Sequence, residues 1–246
     1  MVARSICARG TLAGMAFHPL DNPVWSALTT GHAHLARGGA LAKRYPEDIE
    51  PIAALAQQGR AAWAELASLV APGDHVYTAA QDLDDAPVAL PASLAIRERG
   101  TLIQMVCAQP IPEIATDAAI VTLTDDDAPE MLSLVELTQP GPFRRRTHTL
   151  GTFVGIRDEG RLVAMAGMRF LLDGYREVSG VCTHPGHTGR GLARALVTRV
   201  ANAIHAQGRT PFLHVVSENA RARALYAQLG FAERAALPMA VVGRTG

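Results

Sequence analysis

Apolar residues recur along this chain with two periods. Helical spacing marks residues 24–35, entered through Asp21-Asn22-Pro23, residues 49–56, entered through Pro46-Glu47-Asp48, and residues 61–70, halted by Pro72-Gly73. It returns at 128–137, ended by Pro140-Gly141-Pro142, and most strongly at Leu192, Leu196, Val197, Val200 and Ile204, which form one face of a long helix. Shorter apolar runs bounded by turn residues read as strands at 75–79, 101–108, 119–124, 149–156, 161–170, 175–182 and 212–216, with a strand pair closing the chain. Asp158-Glu159-Gly160 and Asp173-Gly174 are hairpin turns. Antiparallel strands that run into a strand, helix, strand unit predict a mixed α/β (α+β) sheet.

Two prolines in Gln109-Pro110-Ile111-Pro112 separate a strand-like run from an acidic stretch, and a domain boundary is expected there. It leaves an N-terminal domain over 1–112, helices followed by strands, and a second domain over 113–246. The first twenty or so residues, with Arg4 and Arg9 ahead of a brief glycine-broken apolar patch, read as a loose tail and not as a secretory signal.

Composition narrows the class without naming the chemistry. Lys and Arg total 23, as do Asp and Glu, so the formal charge is zero and nothing pulls the chain broadly toward nucleic acid or an anionic membrane. No apolar run is long enough to span a bilayer. Cys7, Cys107 and Cys182 are odd in number and far apart, which argues for a reducing compartment, the cytoplasm, over a disulfide framework.

The run Val-Cys-Thr-His-Pro-Gly-His-Thr-Gly-Arg-Gly-Leu-Ala, from Val181 to Ala193, takes an apolar strand through a Pro/Gly turn into a helix. Backbone amides at Gly189, Arg190 and Gly191 have no partner within that helix, and glycine lets a phosphate come close to them. Leu192-Ala193 after the last glycine excludes a P-loop, and Arg194 stands where a dinucleotide fingerprint needs a small residue. A second signal follows at 219–231, Asn-x-x-Ala-x-x-Leu-Tyr-x-x-Leu-Gly-Phe.

With these two motifs the chain resembles the GNAT superfamily of acyl-CoA-dependent N-acyltransferases. The second motif matches at every named position; in the first, Gly189-Arg190-Gly191 fits the family's Gln/Arg-x-x-Gly-x-Gly/Ala pattern, but Gly186 replaces the Gln/Arg and Thr188 replaces a frequent arginine. The resemblance spans about 119–242. The run from Glu177 to Pro185, the Thr-Gln-Pro-Gly-Pro-Phe segment and the long N-terminal extension are similar to the branch related to glycine N-acyltransferases. It implies a GNAT fold with a splayed sheet, acetyl-CoA as cosubstrate, and a cofactor site at Val181, Cys182, Thr183, Thr188, Gly189, Arg190, Gly191, Leu192, Ala193 and Asn219. Helices followed by strands also begin a GNAT half, so residues 1–112 are compatible with a degenerate second copy.

Amine attack on a thioester needs the ammonium deprotonated, a donor for the developing oxyanion and a proton for the leaving thiolate. A free backbone N–H near Val181 supplies the donor. Tyr226 matches the family's tyrosine and is the candidate acid, although it also lies on the apolar stripe of its helix. Glu177, on the strand leading to the loop, is the candidate base through a water; its alternative is an ion pair with Arg176 or another arginine. Asn219 suits a helix cap as well as a cofactor contact. Cys182, His184 and His187 lack a nearby fourth ligand, so no metal is expected, and Cys182 reads as core and not as a nucleophile. In Phe143-Arg144-Arg145-Arg146, one arginine facing the groove would favour an acceptor with a carboxylate.

The expected function is therefore acetyl transfer from acetyl-CoA to the primary amine of a small molecule by direct attack in a ternary complex. The alternatives are a CoA-binding regulatory protein without activity and an acetyltransferase of a protein amine.

Overall fold

The computed structural model describes residues 18–83, 90–114 and 116–245. The tail with Arg4, Cys7 and Arg9 lies outside them. Helix α1 (Pro23–Thr29) starts where the Asn22 side chain accepts a hydrogen bond from the Trp25 amide, 3.3 Å away. It stops short of the expected 35, because Gly31 is packed so closely on Leu171 that a Cβ there would stand 2.5 Å from the Leu171 carbonyl oxygen. A separate 3-10 turn, Ala33–Leu35, follows.

Strands β1 (Arg37–Gly38), β2 (Ala42–Arg44) and β3 (Ala53–Leu55) form a small antiparallel sheet. The helix expected over 49–56 is absent. Pro46 to Glu50 makes one turn, closed by the Glu50 amide on the Pro46 carbonyl at 3.0 Å. Pro51 cannot donate the next bond, Ile52 bridges Tyr77, and β3 pairs with β2. Tertiary pairing outweighs the local apolar spacing.

The remaining elements are α2 (Arg60–Leu69), β4 (His75–Ala79), β5 (Leu94–Val106), β6 (Ile120–Leu123), α3 (Ala128–Thr138), β7 (Phe153–Asp158), β8 (Arg161–Leu172), β9 (Tyr175–Thr183), α4 (Leu192–Ala206), β10 (Thr210–Val216), α5 (Ala220–Gln228) and β11 (Ala232–Arg244). The main sheet has eight strands in the order β4-β11-β5-β10-β9-β8-β7-β6, antiparallel except where β9 meets β10. The closing strand pair is in fact one strand with irregularities near Arg234 and Val241. Pro238 stands just before β4 begins to pair at Met239, where its missing N–H breaks no bond to β4.

The prolines at 110 and 112 do not divide the molecule into separate sheets. Strands β4 and β5, from before them, pair with β11 and β10, so the sheet runs continuously across the expected boundary. Helices α4 and α5 cover one face, burying Leu196, Val200, Ile204, Leu213 and Phe231 together. The other face is covered by α1 and the segment around Tyr45, packed on Phe170 and Phe212, and by α3, packed on Met165 and Phe153. No helix among the described residues is long and apolar enough to cross a membrane.

Candidate active site

Strands β9 and β10 run parallel for three residue pairs only: Tyr175 with Thr210, Arg176 with Pro211, and Glu177 with Phe212. Beyond that point they diverge, and a groove of about 1530 Å³ opens between them. Its walls include β9 from Val178 to Thr183, β10 from His214 to Val216, the start of α4, and α5. On β9 the pairing with β8 slips between Ser179 and Cys182, so Ala166 faces two residues, Gly180 and Val181. Such a bulge takes an amide out of the ladder. Gly180 adopts φ +62, and a Cβ there would meet the Phe153 ring at 2.9 Å. Only glycine fits this bend.

The loop after β9 makes a 3-10 turn, Pro185–His187, steadied by the Gly186 amide on His184 Nδ1 at 3.1 Å. Gly189 and Gly191 then adopt φ +80 and +77, with no atom within 4 Å of the position a Cβ would take. Gly191 caps α4 and no side chain fills the helix's free amides. Open space over uncapped amides fits a phosphate group.

Of the expected cofactor residues, Val181, Cys182, Thr183, Thr188, Gly189, Gly191, Leu192, Ala193 and Asn219 all line the groove. Arg190 does not. Its Nη1 lies 2.9 Å from Asp158 Oδ2, which His187 Nε2 also approaches at 3.1 Å. The β7–β8 turn thus draws Arg190 off the groove. Asn219 Oδ1 accepts from the Ala222 amide at 3.0 Å, so its side chain is engaged in capping.

Tyr226 lines the groove at 8% exposure, and among the described residues its hydroxyl has no hydrogen-bond partner. Burial, with the nearby Cys182, pushes the phenol up to about 12. Cys182 is itself pushed up to about 11, chiefly by burial, and stays a thiol at neutral pH. Of the arginines at 144–146, Arg144 lines the groove and Arg146 pairs with Asp48 at 3.0 Å.

Glu177 is not placed as a base. It is wholly enclosed, does not line the groove, and accepts from Arg169 Nε and Nη2 at 2.7 and 3.0 Å and from His214 Nδ1 at 2.7 Å. Burial alone would raise its pKa, but the Arg169 charge and the bonds from His214 and Arg169 hold it at about 2. A carboxylate so weakly basic takes no proton from an ammonium. The partner is Arg169, not Arg176, whose guanidinium donates to the Leu150 carbonyl.

Arg169, His214, Gln104 and Glu50 gather around Glu177 in a polar cluster that the sequence does not single out. An arginine inside the apolar run of β8 is the available signal for Arg169. Glu50 gives none, because its segment reads as a helix. Glu50 is fully buried, its two oxygens have no hydrogen-bond partner among the described residues, and burial pushes its carboxyl up to about 8.

A family model described as FR47-like protein matches residues 153–237, from β7 into β11. A protein of the GNAT family from Novosphingobium aromaticivorans, described as an acetyltransferase, is 36% identical, with a TM-score of 0.84 over 94% of this chain and 100% of its own. The chain belongs to the GNAT family. A GCN5-related N-acetyltransferase from Kribbella flavida shares the fold at 18% identity and a TM-score of 0.63, covering 92% of this chain and 96% of its own. So does a GCN5-related N-acetyltransferase-like protein from Streptococcus suis, at 13% and 0.60, covering 90% and 93%. A comparison with curated proteins returns no match. GNAT proteins use acetyl-CoA as cosubstrate, and the glycine loop with its open Cβ positions suits that group's pyrophosphate.

Proposed function

We propose that the protein transfers an acetyl group from acetyl-CoA to the primary amine of a small molecule, by direct attack in a ternary complex. The observation that carries this reading is the divergence of β9 and β10 over a groove floored at one end by the uncapped glycine loop. In this reading the amides of the loop from Thr188 to Ala193 hold the pyrophosphate, and the amide freed by the bulge at Gly180-Val181 receives the thioester oxygen as charge develops on it. Tyr226 serves the departing sulfur. A phenol near 12 holds its proton more tightly than a thiol of about 8.5, so the hydroxyl donates a hydrogen bond to the departing thiolate; as the C–N bond replaces the C–S bond, the proton lost by the amine passes to water and water returns one to the sulfur.

A small acceptor is favoured because the N-terminal segment, through Pro23, Pro51, Ile52 and Tyr77, walls the groove. The Glu177 to Pro185 run, which resembles the glycine N-acyltransferase branch, is occupied by ion pairing, a bulge and a turn, so it supports the fold and no particular acceptor. Cys107 and Cys182 are free and buried, in keeping with a reducing cytoplasm.

The test is release of free thiol from acetyl-CoA across a panel of small amines and of peptides with free amino ends. Turnover with small amines supports the reading. Turnover on peptides alone, or acetyl-CoA binding without thiol release from any amine, contradicts it in favour of a protein acceptor or a regulatory role.

A further inference from the structure

Arg169 is a cation with one edge in use and one edge open. Its Nε and Nη2 grip Glu177 at 2.7 and 3.0 Å, and its guanidinium carbon sits 4.4 Å from the Phe170 ring centre. Its Nη1 makes no hydrogen bond among the described residues and is not sealed from solvent; the nearest carboxylate oxygen, on Glu50, is 3.8 Å away. Arg169 lines the groove on the sheet face away from α4, and Arg144 lines the same groove. A largely enclosed guanidinium that keeps two N–H groups turned toward the groove can offer them to a ligand, and a carboxylate is the ligand whose geometry matches that edge.

We propose that Arg169 Nη1, with Arg144, forms an anion subsite in the groove, and that the acceptor amine bears a carboxylate. The proposal rests on the acetyl-transfer reading above. An acceptor with positive charge alone would meet two guanidinium groups on this wall; one that carries a carboxylate meets a partner. The anionic group is assigned to the acceptor and not to the acyl chain, because Pro51, Ile52 and Arg144, which form this wall, lie apart from the α4 glycine loop in the sheet's layering.

Glu50 explains why the protein does not fill the subsite itself. The charged and titratable groups that face it are Arg169 from β8, Glu177 from β9, Arg144 from the segment before β7, and Tyr45 from the segment after β2, with the Thr147 hydroxyl beside them. Burial pushes its carboxyl up to about 8 against the pull of Arg169, so near neutral pH it is largely the uncharged acid and leaves Nη1 to a ligand. As it ionises it becomes a competitor for the same edge.

The test is calorimetric titration of N-acetyl amino acids and their matched carboxamides onto the protein saturated with CoA, using the alanine, serine and phenylalanine derivatives. This needs no turnover, so absence of thiol release would sink the acetyl-transfer reading while the titration still decides the subsite. The expected result is at least one acid bound about tenfold or more tighter than its amide. Arg144→Gln, an exposed substitution, should reduce that ratio several-fold, and Glu50→Gln should keep the ratio at pH 7 and remove its decline toward pH 9. Equal binding of acids and amides, tighter binding of the amides, or no binding of either overturns the proposal. So does tighter binding of succinyl-CoA than of acetyl-CoA without any acid-to-amide preference, which would assign the subsite to the acyl group.

Discussion

Glu177 Oε1 lies 2.7 Å from His214 Nδ1, across the point where β9 and β10 cease to pair. The contact pins both arms of the fork from inside. It continues outward: Gln104 Oε1 accepts from Arg234 at 2.9 Å, so the Gln104 amide nitrogen is free to donate to the Leu20 carbonyl at 2.9 Å and to His214 Nε2 at 3.1 Å. Arg234 in turn reaches Asp21 at 2.5 Å. With Nε2 accepting from Gln104, His214 carries its proton on Nδ1, toward Glu177. Both ring nitrogens are therefore engaged, and His214 ties β10 to β9 and β5 at the fork.

Glu177→Gln should remove the charge that balances buried Arg169 and lower stability by about 3–5 kcal/mol, which lowers Tm by on the order of 10 °C at this chain length. Because the folded pKa, about 2, lies below the ordinary 4.5, the stabilisation is complete above pH 4.5 and is lost as pH falls toward 2. Thermal unfolding of the two proteins from pH 7 to pH 2 should show their Tm values converging at the acid end. A constant gap would mean that the ion pair is not the source.

Glu50 behaves in the opposite sense. Its folded pKa, about 8, lies above 4.5, so it costs nothing below pH 4.5; from there the unfolded chain gains by ionising, and the native state loses about 1.4 kcal/mol per pH unit until the folded carboxyl ionises near 8. Glu50→Gln should therefore gain in Tm relative to the parent between pH 5 and pH 8, and the difference should level off above that. Parallel Tm profiles would contradict a buried carboxyl held above its ordinary pKa.

The order of β6 through α5 was readable because each apolar run there ends in its own turn, and the Asn219 to Phe231 motif placed Tyr226 on the groove. What was hidden depends on pairing between distant residues. Strand β5 enters the sheet between β10 and β11, which no local pattern around Leu94 to Val106 announces. Glu177 read equally well as base or ion pair because its partners Arg169 and His214 lie on neighbouring strands, and only the packed sheet puts them within 3 Å. Arg190 sat between two glycines and looked like a ligand, until the β7–β8 turn supplied Asp158.

The glycine loop yields a paired comparison. Gly191→Val forces a branched residue into φ +77 and fills space above the α4 amides, so acetyl-CoA affinity should fall by about tenfold or more. Arg190→Ala, whose side chain points to Asp158, should change it by less than about threefold. Titration of the two variants checks this, and the reverse order of effects would return Arg190 to the cofactor site.

Tyr226→Phe deletes only the hydroxyl of a buried ring. It should lower kcat about a hundredfold with acetyl-CoA affinity nearly unchanged. Since the phenol sits near 12, the parent should show no rate limb from this group between pH 6 and 10. A variant with normal kcat would leave Tyr226 as packing for α5 and Phe231.

The measurement that bears most directly on the groove is calorimetric titration of the purified protein with acetyl-CoA, beside dephospho- and desulfo-CoA. One-to-one micromolar binding, weakened in Gly191→Val, is the predicted result. No binding at millimolar acetyl-CoA would contradict it and would mean that a GNAT fold with Gly186 and Thr188 in its loop has given up the cosubstrate.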